Sequence, residues 1–244
     1  MDAISEMISF GAGVNSVAMT IMLAEQGWRG PIVFADTGGE HPDTYCYLTY
    51  FEKEYLRPRG LEITRLMPGS EYHSNKAQLP LEEYCLQAGI IPLLAVRWCS
   101  VEWKRDPLKK WAEKHDIDIH LLGISASEPQ RERDDPTVRY PLIDESIHRP
   151  ECRRIIQGAG FLVPRKSGCF FCTGQALAGW RTLYFEYPEL YERAIAMEDN
   201  ASERCQKWAT LDPHGISLRQ HIERRWQGQT QMDLSQWLPC ACRL

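Results

Sequence analysis

The chain has 244 residues, 43% of them hydrophobic and 25% charged, which suits one large α/β unit or one such unit with a small appendage. A net charge of −5 argues against a surface that clamps nucleic acid along its whole extent. No apolar run reaches membrane-spanning length, and acids rather than a basic region occupy the first residues, so the sequence reads as a cytoplasmic protein with no membrane association.

In chain order, MISF (residues 7–10) and PIVFAD (31–36) are short apolar runs closed by turn residues, as buried strands are. Between them SVAMTIMLAEQGW has helical length, with Gly27 as terminator. A second helix is expected over DTYCYLTYFEKEYL (43–56) and a third strand over LEITRL (61–66). VEWKRDPLKKWAEKHD (101–116) is helical with Pro107 in a first turn. IDIHLLGIS (117–125) is a fourth strand and RYPLID (139–144) a fifth. The alternation predicts an α/β fold, an approximately five-stranded, mostly parallel, twisted sheet flanked by helices. Past residue 150 helical patterns, aromatics and a CxxC take over. The expected division is therefore 1–149 for the α/β part and 150–244 for a helical extension packed on it.

Open parallel sheets bind ligands beyond the carboxyl ends of their strands, which singles out three loops. Residues 9–16 place glycines between a strand and a helix, where main-chain amides and the helix dipole favour an anion. Ser9, Asn15 and Ser16 are candidate extra donors, although neither a GK[ST] nor a GxGxxG spacing is present. A tight structural turn is the alternative. In the loop 36–41, Asp36 suits a metal ion or ribose hydroxyls, with Glu40 and His41 within reach; it equally suits a turn cap. The loop 123–131 follows small residues with Glu128 and Arg131, and nearby Arg133 adds a second guanidinium able to fold onto a phosphate or into surface salt bridges.

Taken together these loops resemble the phosphoadenosine-phosphosulfate reductase family of the adenine-nucleotide α-hydrolase (PP-loop) superfamily. The family's SGGxDS lies over GAGVNS, Gly11 to Ser16, and its DTGxxxPET over DTGGEHPDT. Its Cys-x4-Lys-x2-Pro-Leu element is matched by CSVEWKRDPL, and its Gly-x-Arg-x-x-Glu-Ser-x-x-Arg element by GISASEPQR. The resemblance implies a PP-loop nucleotide site binding ATP or a related adenine nucleotide with Mg2+. Its contacts would fall on Ser9, Phe10, Gly11, Ala12, Gly13, Asn15, Ser16, Asp36, Thr37, Gly123, Ser125 and Arg131. Asp36, Lys104 and Arg131 are the implied catalytic residues. Three departures stand out: Asn15 replaces the usual Asp, Val14 the usual Lys, and Ser125 the usual Arg. The reductases' C-terminal Glu-Cys-Gly-Leu-His is also missing, with LPCACRL in its place.

Nine cysteines, an odd number without a secretory signal, argue against a disulfide framework. SGCFFCTG places Cys169 and Cys172 in a turn able to grip one metal atom. The resemblance to the family's iron–sulfur branch makes Cys99 a third ligand, and Cys242, with Cys240 as its substitute, the fourth. Four thiolates suit a [4Fe–4S] cluster, which the resemblance favours, or a closed zinc site; a metal-free redox dithiol is the remaining reading. Cys46, Cys85 and Cys205 fall in helical patterns as core thiols, and Cys152 is a weak substitute ligand.

Three functions follow from the resemblance. The first is ATP-dependent sulfur transfer, releasing pyrophosphate, onto a nucleic acid presented by a partner or onto a small acceptor, with a sulfur-donor or reductant protein as second partner. The second is a sulfonucleotide reductase using Cys240 or Cys242. The third is a nucleotide-sensing or scaffold subunit without catalysis. The basic clusters PRKSGC and HIERRW suit either a phosphate backbone or solvated helix faces.

Overall fold

Residues 5–205 and 209–229 are described in the computed structural model. Strand β1 (Glu6–Ser9) buries Met7, Ile8 and Ser9 and takes the middle of a sheet ordered β3-β2-β1-β4-β5. Its neighbours are β2 (Ile32–Ala35) and β4 (Ile119–Leu122), with β3 (Ile63–Leu66) and β5 (Val138–Arg139) outside them. Every pairing is parallel, with Ile8 opposite Ile32 on one side and Leu121 on the other. The chain leaves β1 towards β2 and returns on the other side as β4. The order therefore reverses between β1 and β4, where a crevice opens at the strands' carboxyl ends.

Alternation along the strands divides the core. Ile8, Phe10, Ile32 and Phe34 face α1 (Val14–Glu25), α2 (Pro42–Phe51) and α7 (Arg149–Gly158), through Val17, Ile21, Leu48, Phe51 and Ile156. Met7, Val33, Ala35 and Leu66 face the opposite way, onto Trp111 and Ala112 of α5 (Asp106–Lys114). α3 (Leu81–Ala88) and the single turn α4 (Trp98–Ser100) precede α5. α8 (Leu177–Glu186), α9 (Pro188–Cys205) and α10 (Leu218–His221) follow α7. A second apolar cluster joins Leu81, Cys85 and Trp103 to Phe170, Phe171, Trp180, Tyr191 and Trp226. No helix among the described residues is long and apolar enough to cross a membrane.

Several elements depart from their expected form, among them the helix expected over 101–116, which begins as a π-turn over Val101–Arg105. The fifth strand stops at Arg139, because Pro141 lacks the N–H a ladder needs and instead opens the short helix α6 (Pro141–Asp144). The second helix is α-helical only to Phe51 and continues as a π-turn over Glu52–Leu56. Pro107 sits in the first turn of α5, as its position in the sequence suggests.

Glycine is required where β4 ends. A Cβ on Gly123 would lie 2.6 Å from Ser16 Cα and 2.7 Å from Ser16 N, both backbone atoms that cannot yield. Gly123→Ala is therefore expected to cost about 1–3 kcal/mol in urea unfolding, as overpacked core positions do; unchanged stability would show that this contact is absent. Farther along, buried Glu198 of α9 accepts from Leu211 N at 2.7 Å and Leu218 N at 2.8 Å. Burial pushes its carboxyl up to about 7. Its folded pKa lies above the ordinary value of 4.5, so its contribution is fully present below 4.5 and lost as pH rises to about 7. Unfolding measured across that window should show the decline, and Glu198→Gln should flatten it.

Candidate functional site

The first loop leaves β1 at Ser9 and enters α1 through Gly13, its N-cap. Ala12 holds the left-handed φ of 53° that makes the turn possible. Ser16 Oγ accepts from Gly13 N at 3.1 Å and donates to Gly13 O at 3.0 Å, closing the first turn on itself. Ser9 Oγ lies 3.2 Å from His120 Nδ1, and Phe10 is buried with its N–H given to Val33 O. The side chains expected as extra donors are thus engaged within the protein. A ligand is left the exposed Gly11 and the first-turn amides of α1, which have no partner inside the helix.

The third loop closes on the first. Gly123 rests on the backbone of Ser16, and Glu128 Oε2 accepts from Asn15 Nδ2 at 3.0 Å. Arg131 Nη1 donates to the other oxygen of Glu128 at 2.9 Å. Ser125 Oγ is buried without a hydrogen-bond partner, a polar group one ligand atom would satisfy. Arg149, at the start of α7, donates to Asn15 Oδ1 at 3.3 Å. Sequence reasoning missed Arg149. It lies 134 positions from Asn15, and nothing in HRPECRR marks it as more than a helix start.

The second loop faces the cysteines. Asp36 is buried and accepts from Gly38 N at 2.8 Å and Tyr45 Oη at 2.7 Å, so it caps the turn. Burial pushes its carboxyl above the ordinary aspartate value, against the pull of those two donors. Thr37 Oγ1 lies 3.1 Å from Cys169 Sγ and donates to Glu40 Oε1 at 3.2 Å. The CxxC segment runs antiparallel beside this loop, with Glu40 bridged to Cys169, Phe170 N donating to Gly39 O, and His41 N to Gly168 O. Gly39 is obligatory here, since a Cβ would meet the Phe171 ring at 2.7 Å.

Lys104 joins the two halves. Its Nζ lies 2.6 Å from Glu40 Oε1, whose side chain is 1% exposed. Burial opposes the ammonium charge, but Glu40 and the thiols of Cys169 and Cys172 outweigh it and hold the pKa above the ordinary lysine value. Burial pushes the Cys169 thiol well up and the Cys99 thiol up, with the neighbouring Cys172 adding to both. Cys99, Cys169 and Cys172 thus lie in one electrostatic neighbourhood around one cation. As soft sulfur donors they fit a thiophilic metal in kind. In number the set is incomplete: among the described residues no group of three or more His, Cys, Asp or Glu is arranged to hold a metal ion. Cys240 and Cys242 lie outside the described residues. Cys85 is buried in a core, as expected of a helical thiol, and Cys152, the substitute ligand, is buried in the separate core behind α1.

A family model described as the phosphoadenosine phosphosulfate reductase domain matches residues 5–148. An uncharacterized protein of Methanocaldococcus jannaschii is 25% identical over 209 residues, 77% of this chain and 40% of that protein. An uncharacterized 37.8 kDa protein of Escherichia phage 186 is 26% identical over 160 residues, 50% of this chain and 48% of its own length. The chain spans half the length, or less, of these curated relatives. Similar solved structures include the following two. A phosphoadenylyl-sulfate reductase of Candida auris in a phosphate complex shows a TM-score of 0.47 at 14% identity, over 69% of this chain and 82% of that one. The U34-tRNA thiolase NcsA of Methanococcus maripaludis with its [4Fe-4S] cluster shows 0.48 at 13% identity, over 94% and 83%.

Removing Lys104 leaves the buried Glu40 carboxylate without its counter-charge. Because the lysine is itself a third exposed, Lys104→Ala is expected to cost about 2 kcal/mol in urea unfolding, less than a fully buried pair would. Glu40→Gln should cost less than Lys104→Ala. Equal and negligible effects would mean the pair is solvated and holds nothing in place.

Proposed function

The chain belongs to the phosphoadenosine phosphosulfate reductase family, and we propose that it binds an adenine nucleotide beyond β1 and β4 and couples it to sulfur chemistry at the adjoining cysteines. One observation carries the reading. The glycine-bearing first loop is closed by the third, while the CxxC is hydrogen-bonded to the second, so the first-loop amides and the thiols occupy the same end of one sheet.

On this reading the amides of Gly11 and of the first turn of α1 hold the phosphates of ATP, which arrives with Mg2+ as counter-ion. The Ser125 hydroxyl and Arg131 close the site from the third loop. Asp36 keeps the second loop in shape, and Lys104 balances negative charge gathering at the thiols. An oxygen of the acceptor attacks the α-phosphorus, the bond from that phosphorus to the β-bridging oxygen breaks, and pyrophosphate leaves. A donor protein then delivers sulfur at the sulfide level, which displaces the adenylated oxygen with AMP as leaving group. The acceptor is a small molecule or a nucleic acid, and the chain's net charge of −5 favours one presented by a partner. Cys99, Cys169 and Cys172, with Cys242 or Cys240, would hold a [4Fe–4S] cluster or a zinc ion. Such a group supplies a thiophilic centre beside the nucleotide. Ser125, in place of a guanidinium, favours ATP over a nucleotide carrying an additional sulfate.

The test is an anaerobic preparation analysed for iron, sulfide and zinc, followed by titration with ATP and a pyrophosphate assay with candidate acceptors. Expected are tight ATP binding, acceptor-dependent pyrophosphate release, and loss of the metal in Cys169→Ser. A sulfonate adduct on Cys240 or Cys242 after incubation with phosphosulfate would replace this reading by reduction. ATP binding without pyrophosphate release under any acceptor condition would leave a nucleotide-sensing subunit.

A further inference from the structure

The first loop carries no charged side chain of its own, with Val14 and Asn15 at the start of α1. Charge reaches it from elsewhere in the chain. Asn15, buried in the first turn of α1, donates to Glu128 and accepts from Arg149. Glu128 is also paired with Arg131, so those two charges offset each other. The hydrogen bond of Arg149 goes instead to a neutral amide, and among the described residues its guanidinium forms no ion pair. Three other basic side chains near the strand ends are engaged: Lys104 with Glu40, Arg165 with Asp43 and Glu186, and Lys166 with Gly174 O, whereas Arg133 on the third loop is exposed.

The position of Arg149 is set from behind. Its N–H donates to Ser127 Oγ at 3.0 Å, which anchors the start of α7 to the third loop. α7 also packs along α1 in the same core, through Cys152 and Ile156. Arg149 is exposed as a residue while its hydrogen bond to Asn15 is partly buried, so the side chain spans the distance from solvent to the first loop.

We infer that Arg149 is a phosphate-binding cation of this site in addition to Arg131, supplying from α7 charge that the first loop lacks. The inference rests on the nucleotide reading above and deepens it. A guanidinium offers five donors in a planar fork and is charged at every working pH, which suits two oxygens of a polyphosphate better than an ammonium does. Arg149 lies one residue beyond the span matched by the family model, so the assignment comes from the geometry around Asn15 alone.

Calorimetric titration of the full chain with ATP, ADP and AMP tests it, comparing the unaltered protein with Arg149→Ala and Arg149→Gln. The expected loss for ATP is about tenfold to a hundredfold, the range of one charge-assisted hydrogen bond, shrinking from ATP to ADP to AMP. Arg149→Lys should recover part of it. Melting temperatures accompany each titration, and the glutamine variant keeps a donor to Asn15 should the alanine variant fold poorly. Equal ATP affinity in the unaltered protein and the variants would overturn the role of Arg149 and leave the nucleotide site standing. A loss of the same size for ATP and AMP would also overturn it, as a structural effect. No ATP binding by the unaltered protein would overturn both.

Discussion

Everything at the functional end of this molecule depends on one close approach of two backbones. Gly123, where the chain leaves β4, rests against the first turn of α1 at a distance no side chain would permit. The contact spans the place where the strand order reverses, between β1 and β4, so it decides how wide the crevice is there. With the two loops pressed together, Asn15 and Glu128 come within hydrogen-bonding distance although 113 positions separate them.

The second loop is fixed by different means. Buried Asp36 folds it through Gly38 N and Tyr45 Oη, and the CxxC segment then adds a short antiparallel edge to it. Glu40 sits at the junction with one oxygen on Lys104 and Thr37, while its other oxygen, Oε2, is buried without a partner. Burying that carboxylate is tolerable because the ammonium is 2.6 Å away. The same ammonium lies among thiols whose ionisation burial resists. A single cation therefore serves both the strand-end loop and the sulfur cluster, and neither can be rearranged without the other responding.

The sequence makes the strands and loops of the α/β part legible because each buried strand is a short apolar run ended by turn residues. RYPLID misled because its apolar content outweighs the consequence of Pro141, which ends the ladder and starts a helix. The π-turns after Phe51 and Ser100 leave no periodic mark. At the site, the Cys169–Cys172 turn and the glycine loop are visible as motifs. The pairings that give them chemical character are not, since Glu40–Lys104 and Asn15–Arg149 link side chains 64 and 134 positions apart. Local patterns specify which backbone shapes form, whereas charge neutralisation is settled only when those shapes meet.

The identity of residue 15 shows how far that settlement reaches. Its side chain must donate to a carboxylate on one side and accept from a guanidinium on the other. An amide does both at once. An ionised aspartate, which only accepts, would satisfy Arg149 but set two carboxylates against each other at Glu128. Asn15 is therefore the complement of an arrangement with a carboxylate on the third loop and a guanidinium at the start of α7. What reads in the sequence as a first loop stripped of its charges is, in the folded molecule, a neutral hinge between charges supplied from two other elements.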